Sequence, residues 1–200
     1  QDIADAIIDD LKLAVGYLPR VNDLRDSEGR MIDSKQVPSR GTAFAIMAQV
    51  YAWKAALNNE PELNKLAIAA CDSVIDSGSY ALVGSIKDVC ERVMLGNSEE
   101  GIFEIDYRNT EDDLKSGGSY LAAFCQSWPI MPNRTPATKR RGLRLDNTTV
   151  YKMYPDKSDQ RREEYFYKLD SMAGVSTSIT QGAAYVRKLR HILLYTSGSE

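Results

Sequence analysis

Trp128-Pro129 lies in a stretch without sustained periodicity, residues 109–144, with Tyr120 and Phe124 before it and Asn133-Arg134 after it. Flat aromatic rings stack on the C–H faces of sugars, and Asn and Arg side chains hydrogen-bond to hydroxyls. Trp128, Tyr120, Asn133 and Arg134 therefore have the composition of a glycan contact. The competing reading is a Trp that caps a core beneath a long loop, since aromatic rings are buried on average. Trp53, inside the most strongly periodic helix, reads as core.

Other residue types that carry chemistry are present in weaker patterns. Asp112-Asp113, with Glu104 and Asp106 upstream, has the carboxylates that glycoside hydrolysis uses in pairs. Glu104 and Asp106 alternate with apolar residues, which places them on the solvated face of a strand. The EF-hand spacing for Ca²⁺ is absent. Arg134, Lys139, Arg140, Arg141 and Arg144 form a basic cluster. No nucleic-acid motif surrounds it, so it reads as a solvated loop or a protein contact. Cys71, Cys90 and Cys125 show no CxxC or Cys…His spacing, so neither a metal nor a cofactor is expected. Cys71 is expected to be a small buried residue of its helix. His191 has no Ser or Cys partner in a recognisable motif, and no catalytic residue is expected. Asn133 and Asn147 head glycosylation sequons by spelling alone.

The elements that must position these residues are mainly helical in the first half. Ile3, Ile7, Leu11 and Leu18 predict an amphipathic helix over 2–18, widened by Ile8 and Val15 and stopped by Pro19. Arg20 to Gln36 is polar and reads as a loop. A second helix spans 39–58, with Ser39 as N-cap and Phe44, Ala48, Tyr51 and Ala55 on one face. Its dense alanines predict close packing against a neighbouring helix. A third helix covers about 61–77, with Leu63, Ala67, Ala70 and Val74 on one face and Gly78 as its stop. The 39–77 pair has the length and alanine placement of a tetratricopeptide-type hairpin.

The pattern changes near residue 100. Ile102 to Tyr107 alternates and reads as a strand. Short helices are expected at 148–154, ended by Pro155, and at 160–169, capped by Asp159. Residues 171–182 form a turn region, and 183–194 fits a strand or a helix. This divides the chain into a helical scaffold, 1–100, and an irregular ligand-binding half, 101–200.

Composition agrees with that division. The 200 residues are 43% hydrophobic, enough for a sizeable core, and the net charge is −3. Residues 1–100 hold 10 Lys/Arg and 16 Asp/Glu, whereas 101–200 hold 15 and 12. Neither half has the strong positive field of a nucleic-acid binder. No apolar run reaches the roughly 18 residues of a membrane span. A helical pattern directly after Gln1 and an apolar run near the other end predict a piece of a longer chain.

Six segments in order resemble the SusD/RagB family. Ile8 to Pro19 is similar to its "DL..A...LP" helix, and Gly29-Arg30 to its loop "GR". Ala43 to Tyr51 (AFAIMAQVY) resembles "A..ALLARVY", and Ala69 to Leu82 (AACDSVIDSGSYAL) resembles "A...VI.SG.Y.L". Asn97 to Ile105 (NSEEGIFEI) is similar to "N.E.IFEI", and Met153 to Arg162 (MYPDKSDQRR) to "M....D.R". Gln49 stands where Arg is usual, and Ser158 to Arg161 replaces the common Asp-Pro-Arg.

The resemblance spans residues 8–162 and the middle of the family's larger fold. It implies a single SusD-like domain, incomplete at both ends. Such a domain is mainly α-helical, with tetratricopeptide-like hairpins beside a loop-rich half with a few short strands. It further implies a non-catalytic, surface-exposed lipoprotein of the outer membrane. The lipid would sit on a residue outside this chain. The partners implied are an oligosaccharide or polysaccharide and a SusC-like TonB-dependent transporter. A tetratricopeptide-like protein-interaction scaffold, acting through residues 39–77, is the alternative.

Overall fold

The structure, a computed structural model, describes residues 3–105, 145–172 and 182–190. The architecture is mainly α with one small sheet: α1 Ile3–Tyr17, α2 Arg40–Asn58, α3 Leu63–Ile75 and α4 Ile86–Glu91 come first. β1 Leu145–Asp146, α5 Asn147–Met153, α6 Gln160–Tyr165, α7 Leu169–Met172 and β2 Ala183–Ala184 follow. The described residues form two compact units. One is 3–83 with 96–105, and the other is 84–95 with 145–172 and 182–190. The change of character expected at residue 100 thus falls inside the strip 96–105, while α4 belongs with the second unit. Among the described residues no helix is long and apolar enough to cross a membrane.

In the first unit α1 runs antiparallel to α2. Arg40 N–H donates to the Pro19 carbonyl at one end (2.8 Å), and Lys54 pairs with Asp5 at the other. The face that α1 buries is Ala4 and Ile8, with Leu11 and Val15 half-buried beside them. Ile3 and Ile7, expected on the core stripe, are exposed. α1 carries two adjacent apolar stripes about 100° apart, and only packing against α2 selects between them.

α2 begins with a complete capping box. The Ser39 hydroxyl accepts from Thr42 N–H while Thr42 Oγ1 accepts from Ser39 N–H. Its core face is Met47, Ala48, Tyr51 and Ala55, packed against Ala67 and Ala70 of α3. Small side chains on both helices allow the close approach that the alanine density predicts. Trp53 corrects its sequence reading. It is 62% exposed, on a stripe with Ile46 and Leu57 that turns away from the core. Cys71 is exposed as well, because α3 buries Ala67, Ala70 and Val74 and leaves position 71 outside that arc.

The turn after α3 has a definite job. Gly78 takes φ +64°, a left-handed conformation that costs glycine little. The chain then returns to the start of α2, where the Tyr80 hydroxyl meets Ser39 Oγ at 3.0 Å. A Cβ on Gly41 would lie 2.3 Å from that hydroxyl, so a side chain there would displace the Tyr80 ring.

Ile102 to Ile105 is not a strand. The backbone there bonds a loop and the first turn of α2: Glu104 N–H donates to the Lys35 carbonyl (3.0 Å), and Thr42 Oγ1 donates to the Ile102 carbonyl (3.4 Å). Phe103 and Ile105 are exposed. Asn97, at φ +53°, clasps the same loop through Lys35 N–H and Asp33.

The second unit is built on a short antiparallel ladder, Leu145 opposite Ala184 and Asp146 opposite Ala183. Phe166 bridges Val186, which answers the open assignment of 183–194 in favour of extended backbone up to Val186. The expected helix 160–169 is split in two. After α6 the chain extends at Phe166, whose side chain fills the core with Val150, Leu169 and Ala184, and α7 then begins. α4 joins this unit through Glu91 and Glu164, which both pair with Arg190 (3.7 and 2.6 Å). Cys90 is fully buried there.

Candidate functional site

The residues expected to contact a glycan, Trp128, Tyr120, Asn133 and Arg134, lie outside the described residues. So do Asp106, Asp112, Asp113, the basic cluster 134–144, Cys125 and His191. Glu104 is described, and it is not a solvated strand position. Its carboxylate accepts from Asn97 N–H and packs over Gly101, where a Cβ would lie 2.1 Å from Oε1. That carboxylate holds a turn together. Asn147 is buried inside α5, which removes it as a modification site.

Within the second unit, the chain re-emerges from the 109–144 stretch through β1 and α5 into a region dense in tyrosine. Tyr151, Tyr154, Tyr165 and Tyr167 fall within 17 residues and all are half-buried. Each ring has a cation over it. Arg162 lies 4.9 Å from the Tyr151 centroid and Arg161 4.7 Å from that of Tyr154. Lys188 and Lys168 lie 4.8 and 5.4 Å from Tyr165 and Tyr167. Such contacts hold the rings in place and keep charged donors beside them.

Two carboxylates position the guanidiniums. Asp159 caps α6 through Arg161 N–H and takes a forked pair of bonds from the Arg161 side chain, 2.9 and 2.6 Å. The Arg161 side chain, then its backbone N–H, holds the Asp159 carboxyl below the usual carboxylate range. Arg162 is buried and donates to the Tyr154 carbonyl (2.6 Å) and to Asp170 (2.8 Å). Burial, and then the Asp170 charge, pushes the Tyr151 phenol up, and burial does the same for Tyr165. These phenols stay protonated across the physiological range, as hydrogen-bond donors and acceptors.

The Tyr151 hydroxyl reaches the Leu169 carbonyl at 3.5 Å. Those of Tyr154, Tyr165 and Tyr167 have no hydrogen-bond partner among the described residues. This stretch therefore carries, among the described residues, three hydroxyls with no partner, the ring edges, a guanidinium and a carboxylate held by Arg161. Such groups can donate and accept hydrogen bonds and present ring edges to a polar ligand. The sequence signal for it was the tyrosine density around the "M....D.R" segment, a pattern with no catalytic spacing to draw attention. No protein-family model, curated protein or solved structure matches this chain.

Proposed function

We propose that this chain is a glycan-binding, non-catalytic component of an outer-membrane nutrient-uptake complex of the SusD/RagB type. The observation that carries the reading is the run of six family-like segments in order over residues 8–162. The use of those segments supports it: Tyr80 of "SG.Y.L" bonds Ser39 and packs on Gly41, and Arg161 of "D.R" forks onto Asp159, the N-cap of α6. On this reading an oligosaccharide stacks on Trp128, with Tyr120, Asn133 and Arg134 as polar contacts. Tyr154 adds a hydroxyl and a ring-edge contact. The captured glycan passes to a SusC-like TonB-dependent transporter, and a lipid outside this chain holds the protein at the cell surface.

The test is a binding titration of the chain against a panel of polysaccharides and their oligosaccharides. At least one should bind, and Trp128→Ala should weaken that binding about tenfold or more, the loss of one stacked ring. Binding to none of them sinks the reading. Full binding after both Trp128→Ala and Tyr154→Phe sinks the assignment of the contacts.

A second reading, a tetratricopeptide-like interaction scaffold, is favoured by one observation. α2 turns Ile46, Trp53 and Leu57 outward as a continuous stripe. It places function on residues 39–77. Partner capture that survives deletion of 109–144 and is lost with Trp53→Asp supports it.

A further inference from the structure

The first unit contains a cavity of about 360 Å³ formed by the end of α1, the start of α2 and the turn after α3. It is half-open, and its lining combines Val15, Val21, Phe44 and Tyr80 with Arg20 and Arg40. The size falls at the lower end of the range for small-molecule pockets, and a mainly apolar lining with a few polar groups is their usual composition.

The arginines are the unexplained part. Arg40 donates through Nε to the Leu18 carbonyl (3.1 Å), and its terminal nitrogens meet no acceptor among the described residues. Arg20 makes no ion pair among the described residues. This occurs in a half of the chain where Asp and Glu outnumber Lys and Arg by 16 to 10, so acceptors are plentiful. Two guanidiniums lining one half-open pocket beside a single carboxylate, Asp76, leave a net positive charge, and the planar donor fork matches a carboxylate. Asp76 also lines the cavity, with Ser79. A carboxylate there disfavours a dianion such as phosphate and favours a ligand that brings a donor group of its own.

We propose that this cavity binds a small monocarboxylate that also carries a hydrogen-bond donor and a compact apolar face. The carboxylate lies against Arg20 and Arg40, the donor faces Asp76, and the apolar face rests on Phe44 and Tyr80. A uronic acid and an α-amino acid share this chemistry. The site is made by the first unit alone and is independent of the glycan reading above.

The experiment is calorimetric titration of the chain with galacturonate and with phenylalanine, each beside its uncharged-carboxyl analogue, galactose and phenylalaninamide. Inorganic phosphate is a fifth arm. One acid should bind with a dissociation constant of about 1 mM or tighter, and its analogue about tenfold or more weaker. The acid that binds names the source. Arg20→Ala, at an exposed position, should weaken the acid about tenfold. Arg40→Gln should do the same with an unchanged circular dichroism spectrum. Trp128→Ala should have no effect on this binding, which separates it from the proposed glycan site. The inference is overturned if neither acid binds below about 10 mM, if the analogues bind as well, if phosphate binds more tightly, or if Arg20→Ala changes nothing.

Discussion

Arg161 and Arg162 are sequence neighbours with opposite roles. Arg161 is exposed and forks onto Asp159, while Arg162 is buried and holds a carbonyl and a carboxylate together. Removing Arg162 leaves the Tyr154 carbonyl without its donor and the buried stem without replacement. We expect Arg162→Ala to lower stability by about 2 kcal/mol, read as a shift in urea midpoint, because the Asp170 end of the pair is largely solvated. Arg161→Ala should cost well under half of that. Equal costs would refute the division of roles. The acid side of stability belongs to this scale too. Asp159 is lowered chiefly by Arg161, Asp26 by Arg30 and Asp156 by the backbone N–H of Ser158. A lowered folded value means stabilisation that is present above the ordinary carboxylate range and is lost as pH falls through the folded value. Melting temperature should therefore decline below about pH 4. Asp159→Asn should flatten part of that decline, and an unchanged slope would remove Asp159 from the account.

At the scale of the element, α2 shows how little apolar character says about burial. Tyr51 and Trp53 are two residues apart, about 200° around the helix. Tyr51 is buried against α3, and Trp53 is 62% exposed. Tyr51→Ala should cost about 3 kcal/mol by lost burial and cavity formation, and Trp53→Ala less than about 1 kcal/mol. Chemical denaturation of the two variants checks this, and comparable losses would mean that the stripe of Ile46, Trp53 and Leu57 is covered. The helix boundaries were legible because their signals are local. Ser39 and Asp159 each satisfy the first turn of a helix through neighbours in sequence, whereas the third helix, expected from about 61, begins at Leu63. The strand expected at 102–107 failed for the complementary reason. Alternation is a local pattern, but a strand needs a partner edge, and at 102–104 the backbone bonds go to Lys35 and Thr42.

At the scale of the whole molecule, the two units should differ in how they guard their cysteines. Cys71 is exposed on α3, and Cys90 is fully buried in the second unit, its thiol facing the Glu164 carbonyl at 3.7 Å. Thiol labelling followed by peptide mapping should mark Cys71 in the native protein and Cys90 only on unfolding. Arg190 bonds Glu164 and lies within ion-pair distance of Glu91, and its own side chain is 10% exposed. Arg190→Ala leaves Glu164 partly buried without its partner, a loss of about 3 kcal/mol in comparable pairs. Cys90 should then label at least tenfold faster while Cys71 keeps its rate. Parallel acceleration of both thiols would show that opening is global and that the pair does not act on the second unit alone.

By itself the sequence determined what depends on neighbours along the chain. It set the mainly helical class, the starts of α2 and α6, the core face of α3 and the turn at Gly78, although α3 itself ends at Ile75. Tertiary structure alone decided which apolar stripe of α1 faces α2. It also turned Trp53 and Cys71 outward, made Glu104 a turn clasp, and drew Arg20 and Arg40 to one cavity. The physical reason is the range of the forces involved. Capping and backbone strain act over a few residues and leave a mark in local spacing. Burial and charge pairing depend on which surfaces meet, and residues 41 and 80, or 90 and 164, are neighbours only in space.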